Sequence, residues 1–378
     1  MLNKDWKIGW YNRGMEEQDR EIKKRLLLVD GSAVMHRAYH AMPGLTDRQG
    51  RPTGALYGFV RILLKTIKDL QPTHVAVAFD RREPTFRKEM YIAYQAQRPS
   101  MDVELGEQFD RVRELLAAME VPVYDKAGFE ADDVIGTISS QVSKFPSFEV
   151  IILTGDRDLM QLVNEKVKLC LPVKGVNEAE VVGINEVEER LEVKPEQVVD
   201  YKALVGDASD NYPGVPGVGP KTAVELLEKF GSFEGVYEAL GKKSEVPTLP
   251  RLRRAGRSQK SEVNSTQNTE GEEIKDHNSE FIVRDSVVKK LIEGKAGGEL
   301  SKQLATIKKD VEVDFKLEDC EVLRPVRQAE DKSAQDKLGF KEPGRLARVL
   351  EEFGFQSLVK MMGLEEAVGN GNEQMRLI

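Results

Sequence analysis

Three short apolar runs that each end in an aspartate constrain this chain more than any other feature: "RLLLVD" (25–30), "THVAVAFD" (73–80) and "FEVIILTGD" (148–156). Continuous runs rich in Val, Leu and Ile with no polar alternation read as strands buried on both faces, the signature of a parallel sheet. Between them "GALYGFVRILLKTIKDL" (54–70), "LGEQFDRVRELLAAM" (105–119) and "EADDVIGTISSQVSKF" (130–145) carry apolar residues at three- and four-residue spacing, as amphipathic helices do. Strands alternating with helices predict an α/β fold with a central, mostly parallel sheet flanked by helices. Ligands of such sheets bind outside the carboxyl ends of the strands, where Asp30, Asp80 and Asp156 fall.

From about Pro195 the pattern becomes helix, tight turn, helix: "PEQVVDYKALVG", then "GDASDNYPGVPGVGPKTA" (206–223), then "KTAVELLEKFG". Helical patterning returns at "DSVVKKLIEG" and "GRLARVLEEFGFQSLVKMMG", with "VEVDF" between them as an extended piece. Residues 1–24 read as an N-terminal extension, 25–194 as the α/β core and 195–378 as a helical C-terminal region. A polar stretch near 241–280 has too little apolar surface to offset the entropy of ordering and is expected to be disordered. No run approaches the roughly 18 apolar residues of a membrane span, and the N-terminus lacks the pattern of a secretion signal, so a cytoplasmic, non-membrane protein is expected. The two cysteines, Cys170 and Cys320, lack the companions of a zinc site.

The chemical signal is nine carboxylates in four clusters: Asp30 and Asp80; Glu130, Asp132 and Asp133 in "FEADD"; Asp156 and Asp158 in "TGDRD"; Asp207 and Asp210 in "GDASD". Each has a plainer reading. Asp30 suits a turn after a strand, the "FEADD" acids suit a helix N-terminus, and Asp156 with Asp158 suits a turn and cap. Those roles do not require three strands to end in the same residue type. Converging carboxylates repel unless cations intervene, and oxygen ligands without His or Cys suit Mg²⁺ or Mn²⁺. Two such ions can activate water and stabilise a leaving oxygen in phosphodiester hydrolysis. The net charge of −8 opposes binding of phosphates on average, yet the acids gather in one place while basic residues cluster in "DRREPTFRKEMYIAYQAQR" and "RLRRAGRSQK". In "GVPGVGPKTA", Gly214, Gly217 and Gly219 permit a tight turn and close approach to a phosphate, with Lys221 and Thr222 at the start of the next helix.

The motifs "LLLVDG", "VAFDRREPTFRKEMY", "GFEADDVIGT", "LTGDRDLMQLV" and "YKALVGDASDNYPGVPGVGPKTA" resemble, in order, those of the 5′ nuclease domain of bacterial DNA polymerase I, in the flap endonuclease family. The resemblance covers about Arg25 to Leu240 and implies a PIN-like, resolvase-like nuclease core with a helix-hairpin-helix module, free-standing or as a fragment. It implies that Asp30, Asp80, Glu130 and Asp132 lie nearest a first Mg²⁺ or Mn²⁺ ion, with Asp133, Asp156, Asp158, Asp207 and Asp210 completing a two-ion site. It places Arg87 at the base of a helical arch near 82–105, against the scissile phosphate, with Lys88 and Arg98 as further DNA contacts. It implies a K⁺ ion on the carbonyls of Leu204, Val205, Pro213, Val215 and Val218.

The family has a lysine in the arch where this chain has Gln95. The expected activity is that of a monomeric, structure-specific 5′-3′ exonuclease or flap endonuclease acting on DNA flaps, nicks or RNA-primer ends in replication and repair, alongside a separate polymerase and ligase. Two alternatives stand beside it: a DNA-structure-binding protein with chemistry weakened by Gln95, and a PIN-type ribonuclease, against which the hairpin turn argues.

Overall fold

The structure, a computed structural model, describes residues 24–174, 178–244, 285–321 and 343–365. The N-terminal extension before Lys24, and the part of the 241–280 stretch after Ser244, lie outside the described residues.

Strand β1 (Lys24–Asp30) runs straight into helix α1 (Gly31–Ala41), because Asp30 ends the strand and its carboxylate accepts the amide of Ala33 as an N-cap, at 2.9 Å. Helix α2 (Gly54–Leu70), strand β2 (His74–Ala78), the short helix α3 (Phe86–Met90) and helix α4 (Val103–Ala118) follow. Next come β3 (Val123–Tyr124), α5 (Ala131–Val142), β4 (Phe148–Leu153), β5 (Val167–Lys174), β6 (Glu178–Val182) and α6 (Ile184–Leu191). The six strands form one sheet in the order β3-β2-β1-β4-β5-β6, parallel except for β6, which pairs antiparallel with β5. This is the mostly parallel sheet expected. Only β1 stops on its aspartate; Asp80 and Asp156 lie in the loops just beyond β2 and β4. The register still aligns the three ends, with Asp30 opposite Ala78 and Val29 opposite Leu153.

Both sheet faces are apolar, as strands without polar alternation require. Leu26 and Leu28, with Val150 and Ile152, face α5 and a helical module. Leu27 and Val29, with Ile151 and Leu153, face α1, α2 and α4. The helical module comprises α7 (Val198–Val205), α8 (Pro220–Phe230), α9 (Phe233–Ser244) and α10 (Asp285–Ala305). The expected arch segment, 82–105, is not one helix: α3 ends at Met90 and turns carry the chain to α4. "VEVDF" (311–315) forms no strand; the Val311 amide donates to Thr137 Oγ1 and the Phe315 amide to the Val313 carbonyl.

Helices α11 (Pro343–Glu352) and α12 (Gln356–Met361) depart from the expected grouping with the helical region from 195 onward. They pack on the opposite side of the sheet, against α4 and α2. Tyr57 Oη lies 3.1 Å from Ser357 Oγ and its ring meets Phe355 edge-on, while the Arg111 guanidinium covers Phe353. The stripe Leu346, Ala347 and Leu350 is fully buried there, covering the apolar layer that α2 and α4 share. Leu350→Ala should therefore destabilise the protein by about 2–5 kcal/mol in urea unfolding, and an unchanged midpoint would show that α11 does not close this core.

Candidate metal centre and nucleic-acid interface

Eight of the nine candidate carboxylates line one cleft of about 1450 Å³ at the carboxyl ends of the strands: Asp30, Asp80, Glu130, Asp132, Asp156, Asp158, Asp207 and Asp210. Their plainer roles are real and serve the cleft. Besides capping α1, Asp30 accepts from Thr154 Oγ1 at 2.7 Å. Asp80 accepts the first amide of α5, from Ala131, at 2.8 Å, and the amide of Asp80 donates to Ser32 Oγ. Asp156 receives the amide of Asp158 at 2.8 Å. Asp30 thus has one hydrogen bond on each oxygen, from Ala33 on Oδ1 and from Thr154 on Oδ2, whereas Asp80 and Asp156 are each held through Oδ1.

The acids raise one another's proton affinity. Burial, then the charges of Asp80 and Asp156, push Asp30 from 3.8 up to about 7, against hydrogen bonds from Ala33 and Thr154. Burial pushes Glu130 up to about 7 although Arg87 opposes it, and burial with Asp156 and Asp30 pushes Asp132 well up. On the other side of the cleft, Lys202 of α7 bridges Asp158 and Asp207, lying 2.9 Å from Asp207. Burial raises Asp158 to about 6 against that ammonium, whereas Ser209 and Lys202 overcome the effect of burial at Asp207 and hold it at about 2. Asp210 pairs with Arg98 at 2.5 Å. Lys202 escaped the sequence reading; its mark was a lone base on the apolar helix that runs into "GDASD".

Two expected site residues are committed within the protein: Asp133, and Arg87, which does line the cleft. Asp133 is fully buried and does not line the cleft, and both its oxygens are taken. Oδ2 accepts from Arg87 Nη1 at 2.7 Å and from the amide of Glu130 at 3.1 Å, and Oδ1 accepts from Arg87 Nη2 and the amide of Lys308, both at 2.8 Å. A side chain so committed is not a metal ligand in this arrangement. Arg87 is only 2% exposed and also donates to the carbonyls of Leu304 at 2.8 Å and Thr306 at 3.0 Å, and to Glu130 at 3.3 Å. The contact with a scissile phosphate expected of it does not fit this geometry, since its donors are already used within the protein. Instead it braces Glu130, which also accepts from Thr85 Oγ1 and Tyr94 Oη.

Lys88, Gln95 and Arg98 do line the cleft. Lys88 donates to the Tyr94 carbonyl at 2.6 Å, and Gln95 has a positive φ of 53° while its amide donates to the Asp210 carbonyl at 2.9 Å. The turn that would carry the arch lysine is thus tied to the "GDASD" loop by Gln95 and by Arg98.

The hairpin lies next to this loop. Gly214, at a φ of 63°, packs so closely on Val205 and Gly206 that any side chain would collide with their backbone, and its amide donates to Ser301 Oγ of α10 at 2.8 Å. Gly217, at a φ of 82°, lies under Lys290, whose ammonium donates to its carbonyl at 2.9 Å. Gly219 needs no glycine for its backbone, but it leaves open space before α8, whose N-terminus no side chain caps. Lys221 is exposed and Thr222 half-buried at that helix start. Of the carbonyls expected around K⁺, Leu204 accepts from Val215 and Val215 from Val218, while Val205 and Pro213 flank the Gly206–Gly214 contact.

Among the described residues, no three Asp, Glu, His or Cys side chains are gathered into a ready cage for a metal. Hard divalent ions such as Mg²⁺ need none, because they keep several waters and use only a few carboxylates. An all-oxygen donor set whose burial and mutual repulsion call for a counter-charge fits such ions.

Two family descriptions match consecutive parts of the chain: "5′-3′ exonuclease, N-terminal resolvase-like domain" over residues 25–192 and "5′-3′ exonuclease, C-terminal SAM fold" over 193–328. Among curated proteins, DNA polymerase I of Bacillus caldotenax is 36% identical over 341 residues, 90% of this chain and 32% of its own length. DNA polymerase I of Bacillus subtilis is 43% identical over 218 residues, 58% of this chain and 25% of its own length. The chain thus spans between a quarter and a third of these relatives. In fold it is similar to T5 5′-exonuclease with bound divalent metal ions (zinc), at a TM-score of 0.52 and 20% identity over 75% of this chain and 89% of that one. The catalytic core of Rad2 in complex with DNA substrate gives a TM-score of 0.50 at 15% identity, over 90% of each chain.

The carboxyls of Asp30 and Glu130 have folded values raised above their unfolded ones, so their contribution to stability is complete below about pH 4 and is lost as pH rises through about 7. The metal-free protein should therefore lose Tm between about pH 5.5 and about pH 8, and Mn²⁺ should restore it at the higher pH far more than at the lower. Thermal melts with and without EDTA check this; a Mn²⁺ effect equal at both pH values would contradict it.

Proposed function

This chain belongs to the 5′-3′ exonuclease/flap endonuclease family, and on that premise we propose that it hydrolyses phosphodiester bonds at 5′ flaps and 5′ ends of duplex DNA, with Mg²⁺ or Mn²⁺ as cofactor. The observation that carries this reading is the convergence of eight carboxylates on one cleft beside a glycine hairpin. Asp30, Asp80, Glu130, Asp132 and Asp156 would hold ions on the sheet side, and Asp158, Asp207 and Asp210 on the side of the helical module. Bound there, such ions lower the pKa of water and offset charge on the attacked phosphoryl group.

The protein's own part is placement. Thr154, Ser32 and the capped helix starts keep the carboxylates oriented, and Arg87 fixes Glu130 from behind. Lys88 and Arg98 supply the positive charge at the cleft for a phosphate that arrives there. The hairpin offers amides at the uncapped start of α8, with Lys221 and Thr222, for a phosphate of the duplex. Such contacts read no bases, so selection follows DNA shape. A K⁺ ion at the carbonyls of Leu204, Val205, Pro213, Val215 and Val218 belongs to the same proposal.

Gln95 supports a second reading, in which the protein binds branched DNA but cleaves it slowly. The side chain lines the cleft without charge, and the neighbouring Arg98 is occupied by Asp210.

Incubation of a 5′-flap DNA with Mg²⁺ should give cleavage near the junction, and Asp30→Asn or Asp156→Asn should slow it by about 100-fold or more while leaving flap binding intact. Binding without cleavage by the parent protein, even in Mn²⁺, would establish the second reading, and preferential cleavage of structured RNA would favour a ribonuclease. Lys221→Ala should weaken flap binding and lower the slope of log affinity against log salt by about 1. An identical slope would remove this helix start from the DNA interface.

A further inference from the structure

Tyr212 lies between "GDASD" and the glycine hairpin, and nothing in the cleavage chemistry above uses it. Its residue is 4% exposed, and its ring packs with Tyr94, Leu304 and Ala305. Its backbone exchanges two hydrogen bonds of 3.0 Å with Asp207, which holds the residue beside that aspartate's backbone. The hydroxyl is fully buried and has no hydrogen-bond partner. Buried tyrosine hydroxyls are almost always paired, because an unmet donor loses its hydrogen bond to water without replacement.

Although the ring packs among apolar residues, charged groups act on this hydroxyl electrostatically. The groups acting on it are Lys202, Asp158, Asp207 and Asp210, from α7, from the turn after β4 and from its own loop. Lys202 holds Asp158 and Asp207 together, and Asp207 also accepts from Ser209. A neutral phenol is one donor with acceptor capacity to spare, and a single buried water with polar partners on several sides is the usual companion of such a group.

We propose that Tyr212 Oη donates to a buried water shared with the carboxylates of Asp158 and Asp207, and that Tyr212 is thereby a positioning residue for the divalent-cation site on the helical-module side of the cleft. The inference rests on the reading of the cleft as a metal centre. Its logic is that of carboxylate ligands generally: hydrogen bonds from behind set their orientation, so an ion meets oxygens already placed. Lys202 makes this matter, because its ammonium already holds one oxygen of Asp158 and one of Asp207, and carboxylates free to follow it would be poorer ligands.

The test is Tyr212→Phe in the full chain, titrated with Mn²⁺ alone in a calorimeter, with the metal-free melting point measured alongside. Loss of the hydroxyl should weaken Mn²⁺ binding about 10-fold at one class of sites, while the metal-free melting point stays within error of the parent or falls. Equal Mn²⁺ affinity in parent and variant would overturn the proposal. A raised melting point with equal affinity would show further that the hydroxyl is merely an unpaired group. If the parent protein itself binds no Mn²⁺, the metal reading of the cleft fails and this proposal with it, an outcome distinct from equal binding by both.

Discussion

The buried pair of Arg87 and Asp133 is the interaction on which the rest of this architecture depends. Neither side chain has solvent to fall back on, and each is satisfied through several hydrogen bonds at once, the condition under which a buried ion pair is sustained. Those bonds reach four separate parts of the chain. Arg87 belongs to α3, Asp133 to the first turn of α5, Leu304 and Thr306 to the end of α10, and Lys308 to the strap that follows. Around the pair, Gln161 clasps the same strap through Ala305 and Ile307, and Gly136 leaves room for Ile307 to lie directly on α5. The helical module is thus held to the sheet by directional bonds made within one turn of the helix that carries Glu130 and Asp132.

That arrangement explains how one set of acids serves both folding and the cleft. A carboxylate at a helix N-terminus is stabilised by the helix dipole and by free amides. Asp30 at α1 and Asp80 at α5 use one oxygen in this way. The sheet contributes direction, since parallel strands end together, and the helices contribute anchorage. What neither can remove is the repulsion among the remaining oxygens, which Lys202 and Arg98 relieve on one side of the cleft and which persists on the side of Asp30, Glu130 and Asp132.

Much of this was legible in the sequence because it rests on periodicity and on residue type. The α2 pattern matches its helix end to end, and the apolar runs at 25–30, 73–80 and 148–156 contain three adjacent interior strands, β1, β2 and β4. The carboxylate clusters were readable as a set because strand ends in a parallel sheet have a common destination. What could not be read is which donor meets which acceptor. Nothing in "PTFRKEMY" or "FEADD" says that Arg87 and Asp133 neutralise each other out of solvent, since the partners are 46 residues apart and their carbonyl companions come from beyond residue 300. Lys202 was hidden for the same reason. The positions of α11 and α12 were invisible because an amphipathic stripe declares that it will be buried, not which layer it covers.

The return of α11 and α12 to the first layer has a consequence for the order in which the molecule is built. One face of the sheet is covered by α5 and the helical module, while the other, over α2 and α4, is closed in part by residues up to Leu364. On a ribosome, α2 and its neighbours emerge early and wait, with apolar surface uncovered, until almost the whole of the described chain has been synthesised. Contacts between such distant segments form slowly, because a long loop must close before they gain anything. The layer of α2 and α4 is therefore made well before the segment that closes it and is among the last parts of the described chain to be finished, and its unfinished face is the surface that a nascent chain most needs to have shielded.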